Sequence, residues 1–481
     1  MFNTVDYVDM TVTFHFNDGT TLALYVNQDN SDDDANEITD IKGSNSLSTS
    51  SSNPLGSVAA GTLTIELESY DNSLNPNNSS SDYYGLMDRT CYITVEATKL
   101  YIDEDDETGQ VSPEQTLTPP EPLGTFYVDR WESDSSTNDV NRVVITANDL
   151  ITSIANMDVP IVPINTKANI AAYLQQVFTA LNNDLPSYKQ ITVRSPGSLG
   201  SLDSINVKHR NLNTREKLGD LLNQVSQCLL VNIYVDRNNQ LVYDSVLDDG
   251  QAMPVATLSD STNLTELKQE NGLLVDYSGV NIKFPEGKAV APQQLCSLSN
   301  DDGDPVTSAP DVVFDNSEYG SNLHKLTYLV ISSSDATCPR LSQISHDNTK
   351  ADIYVTPSQG QQDYSIDIYG SVQSDKYMMS KPKYLDRAGI DKDSVVTIDN
   401  DLLKTKNDQI TTYRDNIVNY MRKKRSGMTC EGSFDIRLNI GDVVNVDSET
   451  LNISGKYKVM SLTWNVDSNY TCTAELSNYM L

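Results

Sequence analysis

Leu63-Thr64-Ile65-Glu66-Leu67-Glu68 alternates apolar and polar residues without a break. Successive side chains of an extended strand point to opposite faces, so Leu63, Ile65 and Leu67 share one face and Thr64, Glu66 and Glu68 the other. That is a half-buried strand of a sheet with one wet side. Cys91-Tyr92-Ile93-Thr94-Val95-Glu96-Ala97 repeats the pattern, and Gly124–Trp131 with Arg142–Ala147 predicts a further strand pair. Towards the N-terminus, Met10–Phe16 and Leu22–Val26 flank Asn17-Asp18-Gly19, a strong hairpin signal. Between these runs, 29–37 reads as an acidic loop, Ser44 to Ser57 as a mobile Ser-rich connector, and Asp103 to Pro122 as an exposed acidic and proline-rich loop.

The middle of the chain changes period. Ile170, Tyr173, Leu174, Val177, Phe178 and Leu181 fall at helical spacing. A second helix carries Leu218, Leu221, Leu222, Val225 and Leu229 on one stripe, with Asn213 and Glu216 in capping-box order ahead of it. It runs into a predicted hairpin, Leu230–Val235 and Leu241–Tyr243 around Asp236–Asn239, so 160–250 is a small α+β unit. Strand patterns resume at Val280–Phe284, Leu326–Ile331, Ala351–Val355 and Tyr364–Tyr369, with an acidic loop at Ser297 to Ala309. A third helix aligns Ile410, Tyr413, Ile417 and Tyr420 and ends in Arg422-Lys423-Lys424-Arg425. From Ile440 onward the strands are short and close together, typical of a small barrel, with Gly441 and Gly455 read as turn glycines. No repeat at a fixed short period is visible.

At 481 residues the chain is long enough for two to four domains. Its 38% hydrophobic and 21% charged residues suit folded domains. The net charge of −33 repels phosphate backbones, which argues against tight nucleic-acid binding and suits a conduit through which a polyanion slides. No apolar run reaches the roughly 18 residues of a membrane helix, so membrane insertion is not expected, and Met1–Asp6 does not read as a secretory signal. Cys91, Cys228, Cys296, Cys338, Cys430 and Cys472 are scattered with no C-x-x-C pair, which fits free buried thiols.

Catalytic motifs are missing: there is no G-x-S-x-G, P-loop, H-E-x-x-H or dinucleotide fingerprint. His15, His209, His324 and His346 are too far apart in sequence to form a local metal site. Acid clusters at Asp29–Asp40 and Asp103–Glu107 offer oxygen ligands for Ca²⁺ but lack EF-hand spacing, and solvated loops are the simpler reading. The Arg422–Arg425 cluster sits where a helix C-terminus favours positive charge, and is also a candidate contact for an acidic partner. Trp131 and Trp464 lie within strand patterns and are expected in the core. No enzyme activity, cofactor or metal follows from these residues.

Several segments, in order, resemble the baseplate or tail hub family of tailed bacteriophages. They are Ile38 to Leu67 with its Ser-rich stretch; Tyr70–Asn77 leading to Tyr92–Val95; Leu123–Val128 followed by Thr146–Leu150; the helix and hairpin after Asn213; and Leu438–Val446 followed by Ile453–Val459. The resemblance implies a mainly β, multi-domain fold: two tail-tube-like β-barrels plus peripheral domains, one of them the α+β middle domain. The expected division is 1–158, first tube-like barrel; 159–262, peripheral α+β; 263–400, second tube-like β domain; and 401–481, a helix with a small barrel completing the second half.

It further implies a structural virion protein of the tail tip, assembled in the host cytoplasm: a homotrimeric ring joining the hexameric tail tube to a threefold spike or central fibre. The tape measure protein is a further candidate partner. DNA would pass without specific binding, with Glu66 and Glu68 as candidates for the channel face. Two rival readings are a Ca²⁺-binding β-rich surface adhesin and a glycan-cleaving enzyme with a carboxylate pair.

Overall fold

A computed structural model describes residues 5–26, 36–47, 56–102, 114–135, 141–160, 170–194, 216–246, 252–270, 278–285, 293–299, 312–315, 324–333, 340–346, 350–356, 364–372, 377–385, 394–399, 407–423, 427–467 and 470–478. The chain is mainly β. Its first strands are β1 (Val5–His15), β2 (Thr21–Val26), β3 (Asn36–Leu47), β4 (Ala59–Ser69), β5 (Tyr92–Ile102), β6 (Glu114–Ser135) and β7 (Asn141–Asn148). The middle holds α1 (Leu150–Ile154), α2 (Ile170–Asp184), β8 (Thr192–Val193), α3 (Leu218–Leu229), β9 (Val231–Val235) and β10 (Gln240–Ser245). Two strands follow, β11 (Ala256–Ser259) and β12 (Leu264–Glu270). Then come β13 (Gly279–Pro285), β14 (Gln293–Ser299), β15 (Val312–Asp315), β16 (His324–Ser333), β17 (Arg340–His346), β18 (Lys350–Thr356), β19 (Tyr364–Val372), β20 (Tyr377–Met379), β21 (Lys383–Tyr384) and β22 (Val395–Asp399). Last are the helix α4 (Asn407–Lys423) and β23 (Gly427–Gly432), β24 (Val443–Ser448), β25 (Ile453–Val466) and β26 (Tyr470–Asn478).

One sheet runs β12-β23-β26-β25-β3-β4-β7-β6-β5-β1-β2, with β24 added to β25 and β11 to β24. The alternating strands put every second side chain into one hydrophobic core, in which Leu63, Ile65 and Leu67 meet Val143, Ile145 and Ala147, and Cys430, Val459 and Ala474. Strands from the two ends of the chain therefore share one sheet, joined where β25 pairs antiparallel with β3 (Trp464 opposite Gly43, Asn465 opposite Lys42). Gly43 is required there: a β-carbon would collide with the Trp464 indole.

The register shows that this sheet contains one five-strand pattern twice. β3-β4-β7-β6-β5 and β12-β23-β26-β25-β24 have the same order and the same antiparallel pairings. The irregularities coincide as well. The long strand shifts register between Val128 and Arg130 in the first copy and between Val459 and Ser461 in the second. The edge strand shifts between Ile38 and Asp40, and between Leu264 and Glu266. Aligned on these bulges, Ile38-Thr39-Asp40-Ile41-Lys42 matches Leu264-Thr265-Glu266-Leu267-Lys268, and Leu63-Thr64-Ile65-Glu66 matches Met428-Thr429-Cys430-Glu431. The match ends at the sheet margin, where β1 runs antiparallel to β5 but β11 runs parallel to β24.

A second core gathers α1, α2 and α3 with β9 and β10, and extends to β13, β22 and α4. Tyr413 of α4 donates to the Gln227 carbonyl of α3 (2.6 Å). A four-stranded sheet, β20-β13-β21 with β22 beside β13, and three three-stranded sheets, β8-β10-β9, β14-β19-β16 and β15-β18-β17, complete the described strands.

Four sequence expectations are corrected. Ser44–Leu47 belong to β3, where Ser44 and Thr463 share a cross-strand hydroxyl bond (3.1 Å), so the Ser-rich stretch begins as strand. Residues 114–122 belong to β6 despite their prolines; here β6 pairs only with β5 through two register shifts, so its other edge needs no donors. The capping box does not form: α3 starts at Leu218 with Lys217 as N-cap, leaving Glu216 outside the helix, while Asn213 lies outside the described residues. The first N–H groups instead donate to backbone, Leu218 to Met157 and Gly219 to Ala155 (both 2.9 Å), which satisfies them without a side-chain cap. Gly455 sits inside β25 with room for a β-carbon; the turn before it is made by Asn452 at φ 52°. Gly441 does carry the expected positive φ, 85°.

Candidate functional site: the acidic face of a doubled sheet

The face opposite the core is polar. On β4, Thr62, Thr64, Glu66 and Glu68 are all half-exposed, alternating with fully buried neighbours. Antiparallel pairing sets Asp40 opposite Glu66 and Glu37 opposite Glu68 on β3, and Arg142 opposite Glu68 on β7. Glu66 is held by an ion pair from Arg142. Glu68 accepts from the Tyr70 hydroxyl (2.8 Å), and that bond pushes the phenol up to about 12. Partial burial, then the neighbouring Glu66 charge, raises the Asp40 pKa. Carboxylates thus face one another across strands, which costs stability unless solvent or a cation screens them.

The second copy carries the same face. Glu431 takes the place of Glu66, Glu266 that of Asp40, and Lys268 that of Lys42, with exposed Glu475 on β26 alongside. The two acids singled out from the sequence, Glu66 and Glu68, therefore lie together on this face. Sequence reading missed their partners Asp40 and Arg142 and the counterpart Glu431. The available signal was the pair of pentads Ile38–Lys42 and Leu264–Lys268.

Of the basic cluster, only the Arg422 side chain is described. Arg422 is turned inward, its Nε donating to the Leu385 carbonyl (3.1 Å) and Nη2 to that of Tyr384 (2.9 Å). Lys423 ends α4, and Lys424 and Arg425 lie outside the described residues.

The hairpin β9–β10 braces both copies. At its turn, the Arg237 side chain is only 9% exposed and donates from Nε to Asn439 (2.7 Å) and from Nη2 to the carbonyls of Leu438 (2.7 Å) and Ile436 in the second copy. Glu121 of the first copy stands 3.7 Å from Nη1. Asn239, at φ 59°, donates to the Tyr127 hydroxyl of β6 (2.8 Å). A cavity of about 60 Å³ remains at this junction, with Asn45, Asp149, Arg237 and Trp464 in its wall. Asp149 caps α1 by accepting from Thr152 N–H (2.7 Å) and also takes the Gly61 N–H (2.9 Å); burial raises its pKa to about 6.

Cys91, Cys228, Cys430 and Cys472 are free and buried, and burial raises each thiol pKa, which makes them poor nucleophiles. His15 stacks on Tyr92 (ring centroids 4.4 Å) and bonds Thr94 (3.0 Å). Trp131 and Trp464 pack at the core. No group of three or more potential metal ligands occurs among the described residues, and the acidic segments 29–35 and 103–107 lie outside them. No described helix is long and apolar enough to cross a membrane.

No family model and no curated protein matches the chain. Among solved structures, it is similar to the tail protein from Neisseria meningitidis MC58 (10% identity, TM-score 0.48, covering 98% of this chain and 96% of that one). It is also similar to the 43 kDa tail protein of prophage MuSo2 from Shewanella oneidensis (11%, 0.46, 97% and 98%). A third is the prophage tail protein gp18 from Listeria monocytogenes EGD-e (10%, 0.44, 98% and 94%).

Proposed function

We propose that this chain is a structural hub of a phage-type tail tip, a non-catalytic subunit that assembles as a homotrimeric ring between a hexameric tail tube and a threefold spike or fibre. The observation that carries the reading is the doubled five-strand pattern. A chain with two like sheet units, repeated three times, offers six like units to a sixfold tube while keeping threefold symmetry for a distal partner. In this reading the first unit is built from β3–β7 and the second from β12 with β23–β26, and the segment between β12 and β23 is peripheral. The order of motifs along the sequence supports the same family.

The acidic face, with Glu66, Glu68 and their counterpart Glu431, lines the channel in this proposal. Like-charged walls keep DNA moving by denying it the cation contacts that hold a phosphate backbone. The cluster Arg422, Lys423, Lys424 and Arg425 is the candidate contact for an acidic neighbour in this proposal.

The test is the solution mass of the purified chain by light scattering, with and without EDTA. A trimer indifferent to EDTA is expected. A monomer that loses compactness in EDTA would instead favour a calcium-dependent surface module.

A further inference from the structure

The contact that joins the two sheet units within the chain has a quasi-equivalent that the single chain leaves open. β25 pairs with β24 through Ile453–Lys458, and beyond that point its edge is taken by β3, from Ser461 opposite Ser46 to Val466 opposite Ile41. Its counterpart β6 behaves alike. It pairs with β5 up to Tyr127, and beyond that point Arg130–Ser135 pairs only with β7. The counterpart of β3 is β12, which pairs only with β23 and ends the sheet. Among the described residues, no backbone hydrogen bond reaches the far edge of 130–135 or of 264–270. Open strand edges of this length are templates for another strand.

We infer that the β6 edge of one copy receives β12 of the next copy, in the register the chain already uses between β25 and β3. The inference rests on the ring reading and adds the two edges and the register that close it. Carrying the alignment across, Lys42 opposite Asn465 becomes Lys268 opposite Asp134, and Gly43 opposite Trp464 becomes Gln269 opposite Ser133. Asp134 and Lys268 are both exposed in the single chain and carry opposite charge. The same register sets Glu132, itself 3.3 Å from Arg130, opposite the backbone of residue 270. The Trp464–Gly43 interlock has no equivalent at this second contact. The junction between copies is therefore the looser of the two, as suits subunits that are made singly and then assembled. The pairing is head-to-tail, so each copy uses two different edges and a closed ring leaves neither exposed.

The test is disulfide trapping in the full chain. Asp134→Cys with Lys268→Cys in one chain is expected to give covalently linked multimers under mild oxidation, while each single variant gives none. Lys42→Cys with Asn465→Cys is the control for the register: it should form the same bond within one chain. Hydrogen exchange provides a second reading without substitution, with amides of 130–135 and 264–270 slowed about tenfold or more on association. Multimers that form without the 134–268 bond and without protection at these strands would overturn the inference and leave the ring reading intact. Bonds in the single variants, 134 to 134 or 268 to 268, would overturn it in favour of a twofold contact. A chain that stays monomeric at every concentration counts against both.

Discussion

Thr39 and Thr265 are the same residue of one pattern used twice. Each is the extra residue of a bulge in the first strand of its copy, and each hydroxyl donates to the backbone carbonyl of the glutamate across from it, Glu66 at 3.3 Å and Glu431 at 3.1 Å. A bulge bends a strand and sharpens its twist. The bulge falls at the same place in both copies, and the two units continue into one sheet where β25 pairs with β3.

That joint depends on Gly43. Gly43→Ala drives a methyl group into the Trp464 indole and should cost about 1–3 kcal/mol in urea unfolding, as overpacked sites do. Gly455→Ala is the contrast, because its β-carbon would meet Tyr457 at an ordinary 3.6 Å; it should change stability by no more than about 0.5 kcal/mol. Equal losses at the two positions would show that the close approach is not what matters.

Arg237 should behave as a brace. Arg237→Ala leaves the carbonyls of Ile436 and Leu438 and the Asn439 amide without their donor in a buried place, at a cost of about 2–4 kcal/mol by thermal or urea unfolding. Arg237→Lys should recover little of it, since one ammonium cannot reproduce a planar fork spread over three acceptors. Full recovery by lysine would mean that charge alone holds the hairpin.

Much of the fold was legible because period 2 and period 3.6 are written strongly into this chain: the alternation at Leu63–Glu68 and the stripe from Leu218 to Leu229 both became the elements they predict. The failures have local physical causes. Ser44–Leu47 looked like linker because serine is a weak strand former, yet on a wet sheet face it needs only a cross-strand partner, here Thr463. The duplication was hidden because the segment between β12 and β23 shifts the second copy's strands out of any constant period, and because Leu for Ile and Glu for Asp preserve the pattern but blur identity. Asp40 and Arg142 were invisible as neighbours of Glu66 because register is set in space, not in sequence.

Asp149 predicts a pH dependence. Its folded-state pKa, about 6, lies above the ordinary carboxylate value, so the folded chain binds its proton more tightly than the unfolded chain does. Stability from this group is full below about pH 4 and is lost as pH rises towards 6, by roughly 2–3 kcal/mol for a shift of about two units. The measurement is the difference in unfolding free energy between the parent and Asp149→Asn from pH 4 to 7. The parent should lose stability relative to the variant across that window; parallel curves would mean that Asp149 is ionised throughout.

The charge of the acidic face proposed to line the channel can be changed without unfolding the chain. Glu66 is partly exposed and its ion pair with Arg142 is open to solvent, so Glu66→Gln with Glu68→Gln should cost less than about 1 kcal/mol of stability. The same change removes negative charge from the face proposed to line the channel. Binding of duplex DNA to the assembled protein, negligible at moderate salt in the parent, should become measurable in the variant and weaken steeply as salt rises. Virions assembled with it should eject DNA more slowly. If the variant is as stable as the parent and both DNA binding and ejection are unchanged, these acids do not face the DNA, and the wet side of the doubled sheet belongs to the outside of the ring.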